Sequence, residues 1–452
     1  MSASLTTSRH DRPIPSRDPF VVVDGERELG PPPIDVDTAR ALADDGAAAA
    51  DAGVETLTRW LVGLGQPWCE NSLDGPLRPP EESHAAAPLA LMLADWGMDV
   101  RLLGDAPERA NVVATKRFGP GPLLMLNDHL DTYPSGPASR WQHCDHPYVA
   151  SDHGDEIVAR GTSDTRGNMA ALLVAARRLL ADPPRRGALQ VALTVDEERN
   201  GVHGASHLLD RLRLRPDGVI VVEPTATRGA PTPEIALAVR QTGHALLDIT
   251  ISGVSSHIWR PDTGANPASA LRRVLGRLER PDRDGHAVCV VGLSAGEAGM
   301  AQFTPLTASA RIAVVGIGPH LTRGHIRDEV LAEVRAELES EAAGDLSGDV
   351  DFVAGPTFVP GTEGLTDDDP LVASIATAYQ ETTGEDVIRY CKPAFNDTIL
   401  FRHAGLSAVT FGPGYEGWPV YDEVISRANM RLASDVVEDA ARRFLDTAPA
   451  QA

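Results

Sequence analysis

The chain has 452 residues, long for one ordinary hydrophobic core, so two units are expected. Its apolar fraction of 42% and charged fraction of 23% are those of a soluble globular protein. A net charge of −23 argues against a nucleic-acid or anionic-membrane partner, because both require a basic footprint.

Residues 1–35 are polar and Pro-rich, with Pro31, Pro32 and Pro33 in a row, and read as a poorly ordered or surface-wrapping arm. They contain no apolar h-region, so no signal peptide is expected. No run approaches the ~18 apolar residues of a membrane span. Residues 36–63 are Ala-rich with a helical period, a helix expected in two pieces broken near Gly46 and Gly53. Residues 66–82 hold Pro67, Gly75, Pro76, Pro79 and Pro80 and read as loop. A helix at His84–Gly97 and short strands at Met98–Leu103 and Asn111–Thr115 follow.

Leu123–Leu126 is a short apolar run, as expected of a buried strand. It ends in Asn127, Asp128, His129, Leu130 and Asp131. His and Asp two apart at a strand's carboxyl end lie at the mouth of an α/β sheet, where such sheets bind ligands. A neutral imidazole can bind a metal while a carboxylate fixes its tautomer. Taken alone, the pair also fits a surface turn. After a loop, Gly161 to Gly167 make a tight turn into a helix at Ala170–Leu180, with Asp164 before it, either a ligand or a helix cap. The strand Leu189–Val195 ends in Asp196, Glu197 and Glu198. Three consecutive carboxylates repel unless a cation neutralises them; a solvated acidic turn is the alternative. Val219–Val222 ends in Glu223. Four apolar strands in order thus end in metal-competent residues: His129 with Asp131, Asp164, Glu198 and Glu223.

Around residue 235 the pattern changes to an α+β unit, 236–356, without a metal-ligand sequence. The α/β reading covers 36–235 and resumes over 357–452, with a helix at Pro370–Thr383 and a strand at Ala408–Phe411. The cysteines Cys69, Cys144, Cys289 and Cys391 form no Cys-x-x-Cys pair, which fits a reducing cytoplasm.

In these motifs the chain resembles the M20 family of metallopeptidases and deacylases, which includes acetylornithine deacetylase, succinyl-diaminopimelate desuccinylase, carboxypeptidase G and aminoacylase. The resemblance covers roughly residues 90–430. It rests on HLDTYP at 129–134, RGTSDTRGNMAA at 160–171, DEERNGVHGA at 196–205, VEPT at 222–225, GVSSHIWRPDTGANPA at 253–268 and FGPG at 411–414. It implies an α/β, zinc-peptidase-like catalytic domain, with a central mixed sheet flanked by helices, and an inserted α+β lid and dimerisation domain. It implies a cytoplasmic homodimer hydrolysing a small-molecule amide, with one or two zinc ions; manganese or cobalt would also suit the donor set. His129 would bind one metal, with Asp131 orienting it, and Asp164 would bridge to a second. Glu198 would hold the second metal and Glu223 the first. Glu197 would be the general base and acid. His257 would reach across a dimer interface to the transition-state oxygen, with Asn266 near the substrate; apart from the resemblance, Arg240 or Arg260 could contribute a substrate contact. His203 and His244 match no ligand position and read as structural or surface residues.

Two departures stand out. The family's last His ligand lies four residues before a Glu, and counting back from Glu423 puts Pro419 there. Glu416, Tyr421 or Asp422 could substitute, or one site could hold metal weakly or not at all. An Asp-x-Arg that grips a substrate carboxylate is also missing, since Arg311 is out of register. The leading expectation is a metal-dependent amidohydrolase. The alternatives are a non-hydrolytic biosynthetic enzyme on the same scaffold and, last, a non-catalytic binding descendant.

Overall fold

A computed structural model describes residues 19–446, except 26, 65, 73–78, 281–284, 297 and 341–343. The hairpin β1 (Val22–Asp24) and β2 (Arg27–Gly30) is followed by helices α1 (Val36–Ala52), α2 (Val54–Leu64) and α3 (Ser83–Asp95). Strands β3 (Asp99–Leu103), β4 (Asn111–Arg117), β5 (Leu123–His129), β6 (Ser151–His153) and β7 (Glu156–Val158) lead to α4 (Gly167–Ala181). Next come β8 (Ala188–Thr194), α5 (Ala205–Asp210), β9 (Gly218–Val221) and β10 (Leu237–Gln241). Then follow β11 (Gly243–Ser252), α6 (Pro267–Leu278), β12 (Ala287–Ala295), β13 (Thr307–Ile317), α7 (Arg323–Leu338), β14 (Ser347–Phe352) and β15 (Phe358–Val359). The chain ends with α8 (Pro370–Thr383), β16 (Arg389–Lys392), α9 (Thr398–His403), β17 (Ala408–Thr410), β18 (Val424–Ser426) and α10 (Arg427–Asp446).

The main sheet is mixed, in the order β16-β10-β17-β9-β5-β8-β4-β3-β1-β2. Strand β5 lies inside it, parallel to β8 and β9. Leu124 and Leu126 pack into the core formed with α1 to α4, α8 and α10, and Met125 into the opposite core with Leu208, Val219 and Phe401. Burial on both faces is why β5 reads as an unbroken apolar run.

Three expectations change. The arm expected over 1–35 is part of the sheet from Val22, because β1 lies parallel to β3 and buries Val22 and Val23; residues 1–18 lie outside the described ones. Helix α1 runs unbroken through Gly46, where a Cβ would meet the Trp60 ring at 2.6 Å. That glycine serves close packing, not a break. Gly53, at φ 113°, does end the helix. The loop around Ile157 is a hairpin, β6 and β7, whose β7 pairs with β18 from the far end of the chain.

The second sheet, β12-β13-β11-β14 with β15 beside β11, spans 243–359; β10, just past the expected boundary, pairs with β16 and β17 of the main sheet. Alternation sorts its two faces. Ala245, Leu247, Ile249 and Ile251 with Ala308, Ala310, Ile312 and Val314 form a core with α6 and α7. The other face carries the cross-strand pairs His244–Val315, Leu246–Ala313 and Asp248–Arg311.

Candidate metal centre and active-site cavity

Strands β9, β5 and β8 are parallel neighbours, so their carboxyl ends open at one edge of the main sheet. His129 is the last residue of β5, opposite Thr194 of β8. Glu197 and Glu198 follow β8 after Asp196, which sits at φ 66°; Glu223 follows β9. Asp164 does not come from a strand of this sheet. It lies in the turn between β7 and α4, and that turn is shaped from a distance. The buried Glu423 carboxylate accepts from Gly161 N at 2.7 Å, Ser163 N at 2.7 Å, Asp164 N at 2.8 Å and Arg160 Nη1 at 2.8 Å. The Asp164 oxygens do not cap α4. Oδ1 lies 3.0 Å from His129 Nε2, and Oδ2 accepts from Trp418 Nε1 at 3.1 Å. Gly412 and Gly414 let the FGPG segment press against this framework. A Cβ on either would come within 2.5 Å of Glu223 O or 2.2 Å of Ser163 O, respectively.

Asp131 ties the ligand segments together. Its carboxylate accepts from Glu197 N, Glu198 N and Asn71 Nδ2, each at 3.1 Å, and its Oδ1 lies 3.3 Å from His129 Nδ1. His129 Nδ1 also meets Asp131 O at 3.0 Å, so this nitrogen carries the proton and Nε2 faces the carboxylates. Asn71 also donates to Asp196 Oδ1 at 3.1 Å, and Arg109 links Asp196 at 3.0 Å to buried Glu82 at 3.0 Å. Burial pushes Glu82 up to about 7 despite Arg109.

The electrostatics call for a cation. Burial raises Glu197 and Glu198 well above the usual carboxyl range, with Glu223 adding repulsion on Glu197 and Asp164 on Glu198. Burial lifts Glu223 to about 8. Burial opposes charge on His129, yet Glu197, Asp131 and Asp164 outweigh it and hold its pKa well up. Glu198 Oε1 and Glu223 Oε1 are buried with no hydrogen-bond partner, which is costly for an acceptor. One imidazole, several carboxylates and two orphaned oxygens fit a divalent ion. Among the described residues no three His, Cys, Asp or Glu side chains form a ready-made metal site. Here His129 Nε2 and Asp164 Oδ1 stand at hydrogen-bonding distance from each other.

The centre opens into a cavity of about 480 Å³, with Asp164, Glu197, Glu198 and Glu223 on one side and His244, Leu246, Ala313 and Val315 on the other. A larger cavity of about 690 Å³ lies along β12 and β13, and none of its described lining residues is titratable; the clustered carboxylates face the smaller one.

At the missing imidazole position Pro419 is exposed, and its neighbour Trp418 reaches Asp164 instead. Of the three possible replacements, only Glu416 lines the cavity, and Lys392 Nζ holds it at 3.0 Å. Tyr421 packs on Trp141, and Asp422 accepts from Gln142 N and His143 N. His257, Arg260 and Asn266 do not line the cavity. They follow the far end of β11, roughly 3.4 Å per residue away from His244. His257 packs edge-on to Phe303, Arg260 pairs with Asp262, and Asn266 caps α6 through Ala268 N. Sequence reasoning missed Asn71, Arg109, Trp418, Lys392 and His244. Only His244 left a local signal, since the alternation of β11 extends back through it.

The structure thus places one imidazole and clustered carboxylates at a parallel-sheet edge facing an α+β unit. Residues 125–443 match the model of Peptidase family M20/M25/M40, and the chain belongs to that family. A succinyl-diaminopimelate desuccinylase of Pseudoalteromonas atlantica is 30% identical over 192 residues, 42% of this chain and 49% of that protein. One from Leptothrix cholodnii is 32% identical over 209 residues, 44% of this chain and 53% of that protein. The chain spans about half the length of these curated relatives. A Staphylococcus aureus tripeptidase shares the fold at TM-score 0.67 and 18% identity, over 88% of this chain and 99% of that one. A dinuclear metal-binding M20 peptidase of Bacillus subtilis does so at TM-score 0.59 and 14% identity, over 87% and 99%.

Proposed function

We propose that the chain is a metal-dependent amidohydrolase that cleaves an N-acyl or peptide amide bond of a small, amino-acid-like substrate. The gathering of Asp164, Glu198 and Glu223 around one cavity, with His129 behind Asp164 and two orphaned carboxylate oxygens, carries this reading. The relatives named as desuccinylases support an N-acyl amide, and the shared peptidase fold is compatible with it.

His129, Asp164 and Glu223 would hold one ion, with Glu198 and Asp164 available to a second. Zinc is the first candidate, with manganese or cobalt as alternatives. Bound there, the ion would supply Lewis acidity to an amide carbonyl and make water a nucleophile at neutral pH.

The chain's own residues do the rest. Glu197 Oε2 lies 3.9 Å from His129 Nε2, at the edge of the ligand group. Its burial raises the proton affinity of the carboxylate, which suits it to take a proton from the attacking water. It then returns that proton to the amide nitrogen as the C–N bond breaks. Asp131 fixes both the His129 ring and the Glu197 backbone, so base and ligand stay in register. Glu423 and Arg160 hold the Asp164 turn. His257, with Arg260 and Asn266, serves the cavity of a second copy in a homodimer formed through the 243–359 unit. That unit exposes Trp259, Leu293 and Leu306. The working compartment is the cytoplasm.

Trp418 on Asp164 Oδ2 favours one tight ion at His129 and a weaker second. The same departure supports a second reading, a non-hydrolytic step such as acyl transfer. Turnover in oxygen-18 water separates the two, since hydrolysis must label the carboxylate product. Metal analysis tests the common premise: a protein that binds no divalent ion, or a fully active Glu197→Gln, would overturn the proposal.

A further inference from the structure

We infer that the cavity selects substrates whose group facing the β11–β13 wall is apolar and uncharged, with a hydrogen bond to His244 Nε2. This rests on the amidohydrolase reading and narrows its substrate class.

The wall is set by register. On the open face of the second sheet His244 pairs with Val315 and Leu246 with Ala313, and all four line the cavity. Its aliphatic part carries no charge. The next pair outward is Asp248 with Arg311, whose Nε and Nη2 donate to the Asp248 carboxylate at 2.9 and 3.0 Å. That guanidinium is neutralised and lies beyond the lining residues. Among the described lining residues the one cation is Lys392, which is buried and donates to Pro224 O at 2.7 Å and Glu416 Oε1 at 3.0 Å. A substrate carboxylate aimed at this wall would find apolar surface, and its desolvation would go uncompensated.

His244 is the polar exception. Its Nε2 is buried without a hydrogen-bond partner, and its ring meets Phe395 edge-on at 5.5 Å. Burial lowers its pKa to about 4, so near pH 7 the ring is neutral and gives no charge to a carboxylate. A neutral imidazole matches an uncharged carbonyl, amide or hydroxyl.

Two pairs matched in carbon-chain length test this on the metal-loaded protein. N-butanoyl-L-alanine and N-succinyl-L-alanine differ on the acyl side. N-acetyl-L-norleucine and N-acetyl-L-2-aminoadipate differ on the amine side. Turnover is measured with the wild type. Binding is measured by calorimetry with Glu197→Gln, so the result does not depend on hydrolysis. The apolar member is expected to win by at least roughly tenfold in one pair, and Leu246→Arg to shrink or reverse that preference. His244→Phe should raise KM and leave kcat nearly unchanged, with His244→Gln restoring part of the loss. Equal or better use of the charged member in both pairs overturns the inference, as does no binding of any of the four compounds. Preferential binding of the apolar members without wild-type turnover supports the inference and counts against the hydrolytic reading.

Discussion

Replacing Glu423 with glutamine changes one atom of a group that touches no substrate, yet both stability and metal binding should fall. The carboxylate accepts four hydrogen bonds, two on each oxygen: Gly161 N and Arg160 Nη1 on Oε2, Ser163 N and Asp164 N on Oε1. Glutamine keeps one acceptor oxygen and turns an amide NH₂ toward two donors. Arg160 is fully buried; it keeps bonds to Pro134 O and Val420 O but loses its counter-charge. Breaking a buried pair from one side costs about 3–5 kcal/mol. The turn that loosens carries Asp164, so divalent-ion affinity should weaken about 10–100-fold, as for other residues that orient ligands. Urea denaturation and zinc calorimetry on the same preparations read both effects. Replacing the pair together, as Arg160→Met with Glu423→Leu, should recover part of the stability and none of the metal affinity. A Glu423→Gln protein with wild-type midpoint and wild-type zinc affinity would refute this role.

Trp418→Phe removes the N–H that occupies Asp164 Oδ2; calorimetry should then show tighter binding of a second equivalent of zinc, and an unchanged isotherm would argue against Trp418 as the cause of a weak second site. Burial raises the Asp397 carboxyl to about 7, and its Oδ1 has no partner. A carboxyl raised on folding stabilises fully below its unfolded pKa, about 4, and that contribution is lost as pH rises through about 7. Urea midpoints between about pH 5 and about pH 8 should therefore fall less in Asp397→Asn than in the wild type, and equal slopes would exclude Asp397 as the source.

What was legible in the sequence follows the range of the interactions involved. His129, Glu197, Glu198 and Glu223 were readable because parallel strands buried on both faces are apolar runs, and polar residues at their ends mark the sheet edge. Asp164 was expected at a strand end but lies in the turn after β7, because Glu423, 259 residues on, builds that turn. Gly46 looked like a helix break, since nothing local reveals that the Trp60 ring lies against it. The hairpin at residues 151–158 was hidden because its stabilising partner is β18. Lys392 and Trp418 reach the cavity by tertiary packing alone, which leaves no periodic trace. The aliphatic wall and His244 were half legible: Leu246–Ser252 alternates in the sequence as a half-buried strand does, but His244 lies one cross-strand pair before it.

The central claim is that this cavity holds a divalent ion and that Glu197 moves the proton of a hydrolytic step. The most direct test is metal content by mass spectrometry together with turnover of an N-acyl amino acid, compared between wild type and Glu197→Gln. The expected result is equal metal in both and turnover lower by about 10²–10⁴-fold in the variant. A metal-free wild type that remains active, or a metal-loaded variant as fast as the wild type, would contradict it.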